Sequence, residues 1–154
     1  MLKLPAEQIL FAYRQPAGAD NYFSLDYVTA GEHLARRALA QRPGHIGIFC
    51  EPLEYAHSAC FIQAIQETCR TVSPQTKLTV LSSQAGESNT VAFDFFRGVA
   101  PDIFITQDSD KTRAVTQAAW FGSAQSCPPI LQLSDNLPAA FDGVTNYQMD
   151  YGRL

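Results

Sequence analysis

The sequence predicts an α/β fold, an open and mostly parallel sheet with helices on both faces. Short, nearly continuous apolar runs recur at 46–50, 77–81, 103–106 and 130–133, the pattern of strands covered on both sides. Segments with helical periodicity lie between these runs. Strand alternating with helix requires crossover connections, and right-handed crossovers leave few topologies other than a parallel sheet between two helical layers.

In chain order, Gln8-Ile9-Leu10-Phe11-Ala12-Tyr13 reads as a first apolar strand, broken by turn chemistry at 14–20. Tyr22-Phe23-Ser24-Leu25 is a shorter extended piece leading to Asp26, whose carboxylate is placed to accept from the free N–H groups of a first helical turn. Val28, Gly31, Leu34, Ala35, Ala38 and Leu39 then share one face of a 3.6-residue period, with Glu32, Arg36, Arg37 and Gln41 elsewhere. Pro43-Gly44 ends this helix ahead of the strand at 46–50. The loop 51–54 precedes a second helix over about 55–71, with Ala59, Cys60, Ile62, Ala64, Ile65 and Cys69 at helical spacing. After the strand at 77–81 come a polar loop at 82–89 and a short helix carrying Val91, Ala92, Phe95 and Phe96, closed by Gly98. Pro101-Asp102 introduces the strand at 103–106, and Gln107-Asp108-Ser109-Asp110 caps a helix running to about Phe121. The strand at 130–133 leaves through the loop 134–138, and Val144-Thr145-Asn146-Tyr147-Gln148 is a last extended segment.

A chain of 154 residues with 46% hydrophobic content can bury one real core, so one compact unit is expected. Eleven Lys and Arg against fifteen Asp and Glu give a net charge of −4 with no basic run, so the electrostatic footprint of nucleic-acid binding is missing from this chain. No stretch approaches the roughly 20 apolar residues of a membrane span, and Met-Leu-Lys-Leu-Pro lacks the apolar core of a secretion signal. A cytoplasmic protein with no membrane partner is the expectation. Cys50, Cys60, Cys69 and Cys127 make no Cys-x-x-Cys pair and no zinc spacing, and they read as reduced, mostly buried thiols.

Ligands of open parallel sheets bind beyond the carboxyl ends of the strands, which directs attention to the loops 50–55, 82–87, 106–110 and 134–136. Asp108 and Asp135 fall in them. Asp108 and Asp110 read either as helix caps or as paired carboxylates, and Asp135 either as a turn residue or as an acceptor for ligand hydroxyls. His33, His45 and His57 sit on different elements and read as surface or hydrogen-bonded histidines rather than metal ligands. Arg36, Arg37 and Arg113 read as solvated helix faces, and Trp120-Phe121 as core or interface. The chain has no Gly-x-Gly-x-x-Gly after a strand, no Walker-type phosphate loop and no Gly-x-Ser-x-Gly elbow, so neither a cofactor nor a catalytic residue is expected.

Four separated stretches resemble the effector-binding part of LacI-family transcription regulators. They are Ile9-Leu10-Phe11-Ala12-Tyr13-Arg14-Gln15-Pro16; Tyr22-Phe23-Ser24-Leu25-Asp26-Tyr27 with Ala30-Gly31 and Gly44-His45-Ile46-Gly47-Ile48; Pro101-Asp102-Ile103-Phe104-Ile105-Thr106-Gln107-Asp108; and Leu131-Gln132-Leu133-Ser134-Asp135-Asn136 with Val144-Thr145-Asn146-Tyr147-Gln148 and Tyr151-Gly152. Their order and spacing hold across nearly the whole chain.

The resemblance implies a Rossmann-like subdomain of the type I periplasmic-binding-protein fold. It implies that 1–16 are a strand and crossover from a first sensor subdomain, 17–143 the second, effector-binding subdomain, and 144–154 a truncated return crossover, with the DNA-binding domain absent. By position, Asp135 becomes the cleft carboxylate for effector hydroxyls and Asp108 the acidic residue at the neighbouring strand end. Ser82 lines the loop where an aromatic often sits, and Tyr55 closes the loop after the first of these strands. Phe61 stands where the family places a cleft Arg, Ala64 replaces a Gly and Ser134 replaces an aromatic, so the pocket is expected to differ from one built for a typical sugar.

The function expected on this basis is non-enzymatic: a small sugar-like or nucleoside-like effector binds between subdomains and biases the affinity of a separate domain for operator DNA, in a homodimer. The rivals are a solute-binding protein of the same fold, which should carry a secretion signal, and a small flavodoxin-like enzyme or receiver domain, which needs a phosphate loop or acidic cluster that 14–20 does not supply.

Overall fold

The computed structural model describes residues 10–11, 22–23, 26–98, 100–121, 127–134 and 144–148. Strands β1 (Leu10–Phe11) and β2 (Tyr22–Phe23) pair in parallel as a small separate sheet. The remaining order is α1 (Tyr27–Leu39), β3 (His45–Cys50), α2 (Ala56–Val72), β4 (Lys77–Ser82), α3 (Ser88–Phe96), β5 (Ile103–Thr106), α4 (Ser109–Phe121), β6 (Ile130–Ser134) and β7 (Val144–Gln148). Strands β3 to β7 form one sheet, every pair parallel, in the order β4-β3-β5-β6-β7. The open parallel sheet between two helical layers is therefore the fold observed. The chain steps outward from β3 to β4, then crosses back over β3 to reach β5. That reversal makes the gap between the carboxyl ends of β3 and β5 a topological switch point.

Asp26 caps α1, one carboxylate oxygen accepting from the Thr29 N–H at 2.9 Å and the other from the Thr29 hydroxyl at 2.7 Å. The buried face of α1 is Tyr27, Gly31, Leu34, Ala35, Ala38 and Leu39; Val28 is exposed, because the stripe that meets α2 begins one residue earlier than the periodicity suggests. Gly31 permits that meeting, since a Cβ there would lie 2.7 Å from the Phe61 carbonyl oxygen and 3.0 Å from the Ala64 Cβ. Helix α1 stops at Leu39, and Arg42 turns the chain with φ of 54° before Pro43.

The two faces of the sheet feed separate cores. Ile46, Ile48 and Cys50 of β3 join Ile103, Ile105, Leu131 and Leu133 beneath α1 and α2. Phe49, Phe104 and Ile130 point the other way, against Ala92 and Phe96 of α3 and Val115, Ala118 and Ala119 of α4. Gly47 lies on this second face, where a Cβ would fall 2.5 Å from the Phe104 ring.

Several expectations need correction. Helix α3 begins at Ser88, not near Val91, so the polar loop before it is shorter than 82–89: the Ser88 side chain is held by Ser83 and Asp110. Of the two readings of Trp120 and Phe121, core is excluded, since they are 76% and 80% exposed. Cys60 is exposed, while Cys50 and Cys69 are buried and Cys127 is intermediate. The strand expected at 8–13 extends beyond the described residues on both sides of Leu10–Phe11. Among the described residues, no helix is long and apolar enough to cross a membrane.

Candidate functional site

The carboxyl ends of β3, β4 and β5 bring three polar loops together. After β3, the Glu51 carboxylate meets the His57 ring, Oε2 to Nε2, at 2.6 Å. That ring is nearly parallel to Tyr55, with centroids 5.8 Å apart and planes at 14°, and it also contacts Tyr27 at 5.1 Å. Tyr55 is half-buried at the N-cap position of α2 and gives the helix no side-chain cap.

After β5, Gln107 ties this loop to α2. Its backbone N–H donates to Phe49, and its side-chain Oε1 accepts from the Glu51 N–H at 2.9 Å and the Ser58 hydroxyl at 3.1 Å. Because both partners are donors, the carboxamide orientation is determined. Its Nε2 is buried with no acceptor. Asp108 N-caps α4, Oδ1 accepting from the Lys111 N–H at 2.9 Å. Burial pushes the Asp108 carboxyl up; the cap bond and the Lys111 cation oppose this, and the charges of Glu51 and Asp110 add to it.

Lys111 is 2% exposed, and its ammonium lies 3.5 Å from Asp110 Oδ2 and 3.9 Å from Asp108 Oδ2, above the Phe49 ring at 5.7 Å. Asp110 also accepts from Ser88 at 2.6 Å and Arg113 at 2.8 Å. Burial is the largest influence on Asp110 and raises its pKa, but the Ser88 and Arg113 bonds together with Lys111 outweigh it and the net shift is downward. Through Ser83, Ser88 and Asp110, the loop after β4 is fastened to the loop after β5. Burial also pushes the Cys50 thiol, at the end of β3, up to about 12, so it is no nucleophile.

Of the residues singled out by sequence, Asp108 and Tyr55 lie at this edge, and Ser82 lies exposed at the end of β4, in register with Cys50. Asp108 keeps one oxygen outside the helix cap. The placement of Phe61 differs from the expectation: it is fully buried in α2 within the α1-side core and offers no surface to a cleft. Asp135 lies outside the described residues. Sequence reasoning missed Gln107, Lys111 and the Glu51–His57 pair. The first stands beside Asp108 in a loop already marked, whereas nothing in the sequence indicates that a charged Lys111 is buried or that Glu51 meets His57.

Chemically, the edge presents fixed acceptors and donors beside a half-exposed aromatic ring, the kind of lining that orients a small polar ligand. The Ser58 hydroxyl is engaged with Gln107, and the imidazole of His57 with Glu51. Among the described residues no group of three or more His, Cys, Asp or Glu is placed to hold a metal ion.

An open parallel unit of this topology, with polar groups at the switch point, has the fold of LacI-type regulators and sugar-binding proteins. The chain superposes on a putative ribose operon repressor from Burkholderia thailandensis with a TM-score of 0.70 at 15% identity, over 88% of this chain and 52% of that one. It matches a regulatory protein of the LacI family from Chloroflexus aggregans with a TM-score of 0.66 at 12% identity, over 81% and 47%. It also matches a Caulobacter myo-inositol binding protein bound to myo-inositol, with a TM-score of 0.65 at 14% identity, over 82% and 45%. The chain thus spans about half the length of these structures. They are regulators and binding proteins rather than enzymes. No protein-family model and no curated protein sequence matches the chain.

Proposed function

We propose that this chain is the effector-sensing portion of a LacI-type transcriptional regulator. It takes a small polyhydroxylated or nucleoside-like metabolite at the carboxyl edge of β3 and β5 and transmits binding to a DNA-binding domain outside the sequence. The metabolite occupies a cleft between this unit, 17–143, and a first subdomain to which 1–16 and 144–154 lead. The observation that carries the reading is the convergence of Glu51, Tyr55, His57, Gln107 and Asp108 at the switch point of a sheet whose solved likenesses include repressors and sugar-binding proteins. Asp108, Ser82 and Tyr55 contribute from this unit, with Asp135 as the principal acceptor for hydroxyls. The regulator works as a homodimer, matching the two-fold symmetry usual in operators.

Thermal unfolding of the protein extended upstream through the first subdomain and downstream past Leu154, against neutral sugars, sugar acids and nucleosides, tests this directly. A ligand at about 100 times its dissociation constant stabilises the folded state by roughly 2.7 kcal/mol. One ligand class is expected to raise the melting temperature, and Asp135→Ala and Asp108→Ala are expected to remove the shift. A folded, cooperative protein whose melting no class moves would defeat the reading.

The sugar-binding likenesses also favour a solute-binding role at the same edge. A ligand-dependent change in operator affinity in the full-length protein separates the two.

A further inference from the structure

Lys111 occupies a place that opposes a positive charge in two ways. It is the third residue of α4, so its side chain leans back toward the positive end of the helix dipole. It is also enclosed, and an ammonium taken out of water needs close partners to recover the lost hydration. The partners it has are distant. Its carboxylate neighbours, Asp110 Oδ2 and Asp108 Oδ2, lie at 3.5 and 3.9 Å, against about 2.7–2.9 Å for a full charge-assisted bond. The Phe49 ring, 5.7 Å from the ammonium, adds a cation–π attraction. A methionine would fill much of the same space over Phe49, keep the helix and carry no charge to desolvate. Helix formation and packing therefore do not account for a cation here, and a residue that breaks local rules in this way points to the adjoining site.

The surroundings of Asp108 supply the account. Its Oδ1 is spent on the Lys111 N–H at the start of α4, which leaves Oδ2 as the oxygen for a ligand hydroxyl. Most of the side chain is buried, at 19% exposure, and negative charge faces it from Asp110 on α4 and from Glu51 after β3. The neighbouring groups bring no relief. His57 of α2 is bonded to Glu51, Arg113 is bonded to Asp110 Oδ1, the Ser88 hydroxyl of α3 is bonded to Asp110 Oδ2, and the Cys50 thiol of β3 stays neutral. Among the described residues, the one positive charge that acts on Asp108 is that of Lys111.

We infer that Lys111 is a positioning residue for the effector site, its enclosed ammonium keeping Asp108 an ionised acceptor for a ligand hydroxyl while Lys111 itself meets no ligand. A protonated Asp108 would present a donor in place of an acceptor and would hold the first turn of α4 less firmly. Enclosure suits the task, because a buried charge is little screened by salt and does not compete for the hydroxyl. The effector role rests on the proposed function, whereas the electrostatic relation between Lys111 and Asp108 is measured with no ligand present.

Carboxyl carbon NMR of the same extended protein, labelled at aspartate and with the Asp108 signal assigned through Asp108→Asn, is the test. In Lys111→Met the titration midpoint of Asp108 is expected to rise by about one pH unit or more, since an opposite charge at this range favours the ionised form by that order. Lys111→Arg, which keeps the charge, is expected to restore the wild-type midpoint. Lys111→Gln replaces the methionine variant if that one does not fold. An Asp108 midpoint unchanged in a folded neutral variant overturns the inference. So does a rise of the same size in Lys111→Arg, which would trace the effect to packing, or two neutral variants that both fail to fold, which would make Lys111 a structural residue. None of these results bears on whether a ligand raises the melting temperature, so the two readings fail separately.

Discussion

Gln132 stands at the centre of β6 with its side chain fully buried and neither its Oε1 nor its Nε2 hydrogen-bonded. Ile130, two residues before it on the same face, packs into the α3–α4 core, so the carboxamide occupies a place suited to an apolar side chain. An orphaned buried polar group costs about 1–3 kcal/mol. Gln132→Met, similar in volume and free of that cost, is expected to raise stability by about 1 kcal/mol, read as a higher midpoint in urea with an unchanged slope. Acid titration provides a second test at the residue scale. The Thr29 backbone bond to Asp26 and the Ser88 and Arg113 bonds to Asp110 leave both carboxyls below their ordinary value. A depressed carboxyl contributes stability that is present above the unfolded-state pKa and is lost as pH falls through the folded-state one. Thermal stability should therefore decline below about pH 4, and Asp110→Asn should flatten that decline; an unchanged acid limb would mean that the Ser88–Asp110–Arg113 bonds contribute nothing.

At the scale of elements, the contact between α1 and α2 depends on Gly31. Alanine ordinarily favours a helix interior over glycine by about 1 kcal/mol. Here the added Cβ would meet the Phe61 carbonyl oxygen, a backbone atom with no freedom to yield. Gly31→Ala is expected to destabilise by about 1–3 kcal/mol despite the better propensity, and a stabilised variant would show that the helices can part cheaply. Every strand of the large sheet and all four helices were legible beforehand, because β3 and β5 are buried at every position and so read as unbroken apolar runs, while Asp26 and Asp108 mark helix starts with side chains that do cap. The start of α3 was not legible. Ser88 looks like loop chemistry, and only its tertiary bonds to Ser83 and Asp110 draw it into the helix. The same limit applies to the site. Asp108 and Tyr55 could be located because strand ends can be located, whereas the burial of Lys111 and the union of Glu51 with His57 depend on how loops cross in space. Phe61 illustrates the converse: a position matched by resemblance need not keep its exposure once Arg has become Phe.

For the molecule as a whole, the two helical layers share one sheet whose central strands serve both. Ile48 and Phe49 are neighbours in β3, yet they belong to the α1–α2 core and the α3–α4 core respectively. Neither layer can peel away without exposing β3, which is buried along its full length and bonded on both sides by β4 and β5. Unfolding should therefore be all-or-none even though the apolar interior is divided. Phe49→Ala removes a ring from the α3–α4 side alone and is expected to cost about 3–5 kcal/mol. If the sheet couples the layers, the loss must also appear on the other side. With Trp120 and the tyrosines at 13, 22, 147 and 151 replaced by Phe, the fluorescence of Tyr27 in α1 and Tyr55 at the start of α2 reports that layer, while far-UV circular dichroism reports all helices. Both probes should move to the same lower urea midpoint in Phe49→Ala. A fluorescence midpoint that stays at the wild-type value while the dichroism falls would mean that the layers unfold separately, and that a ligand gripping the switch point stabilises only the α1–α2 half.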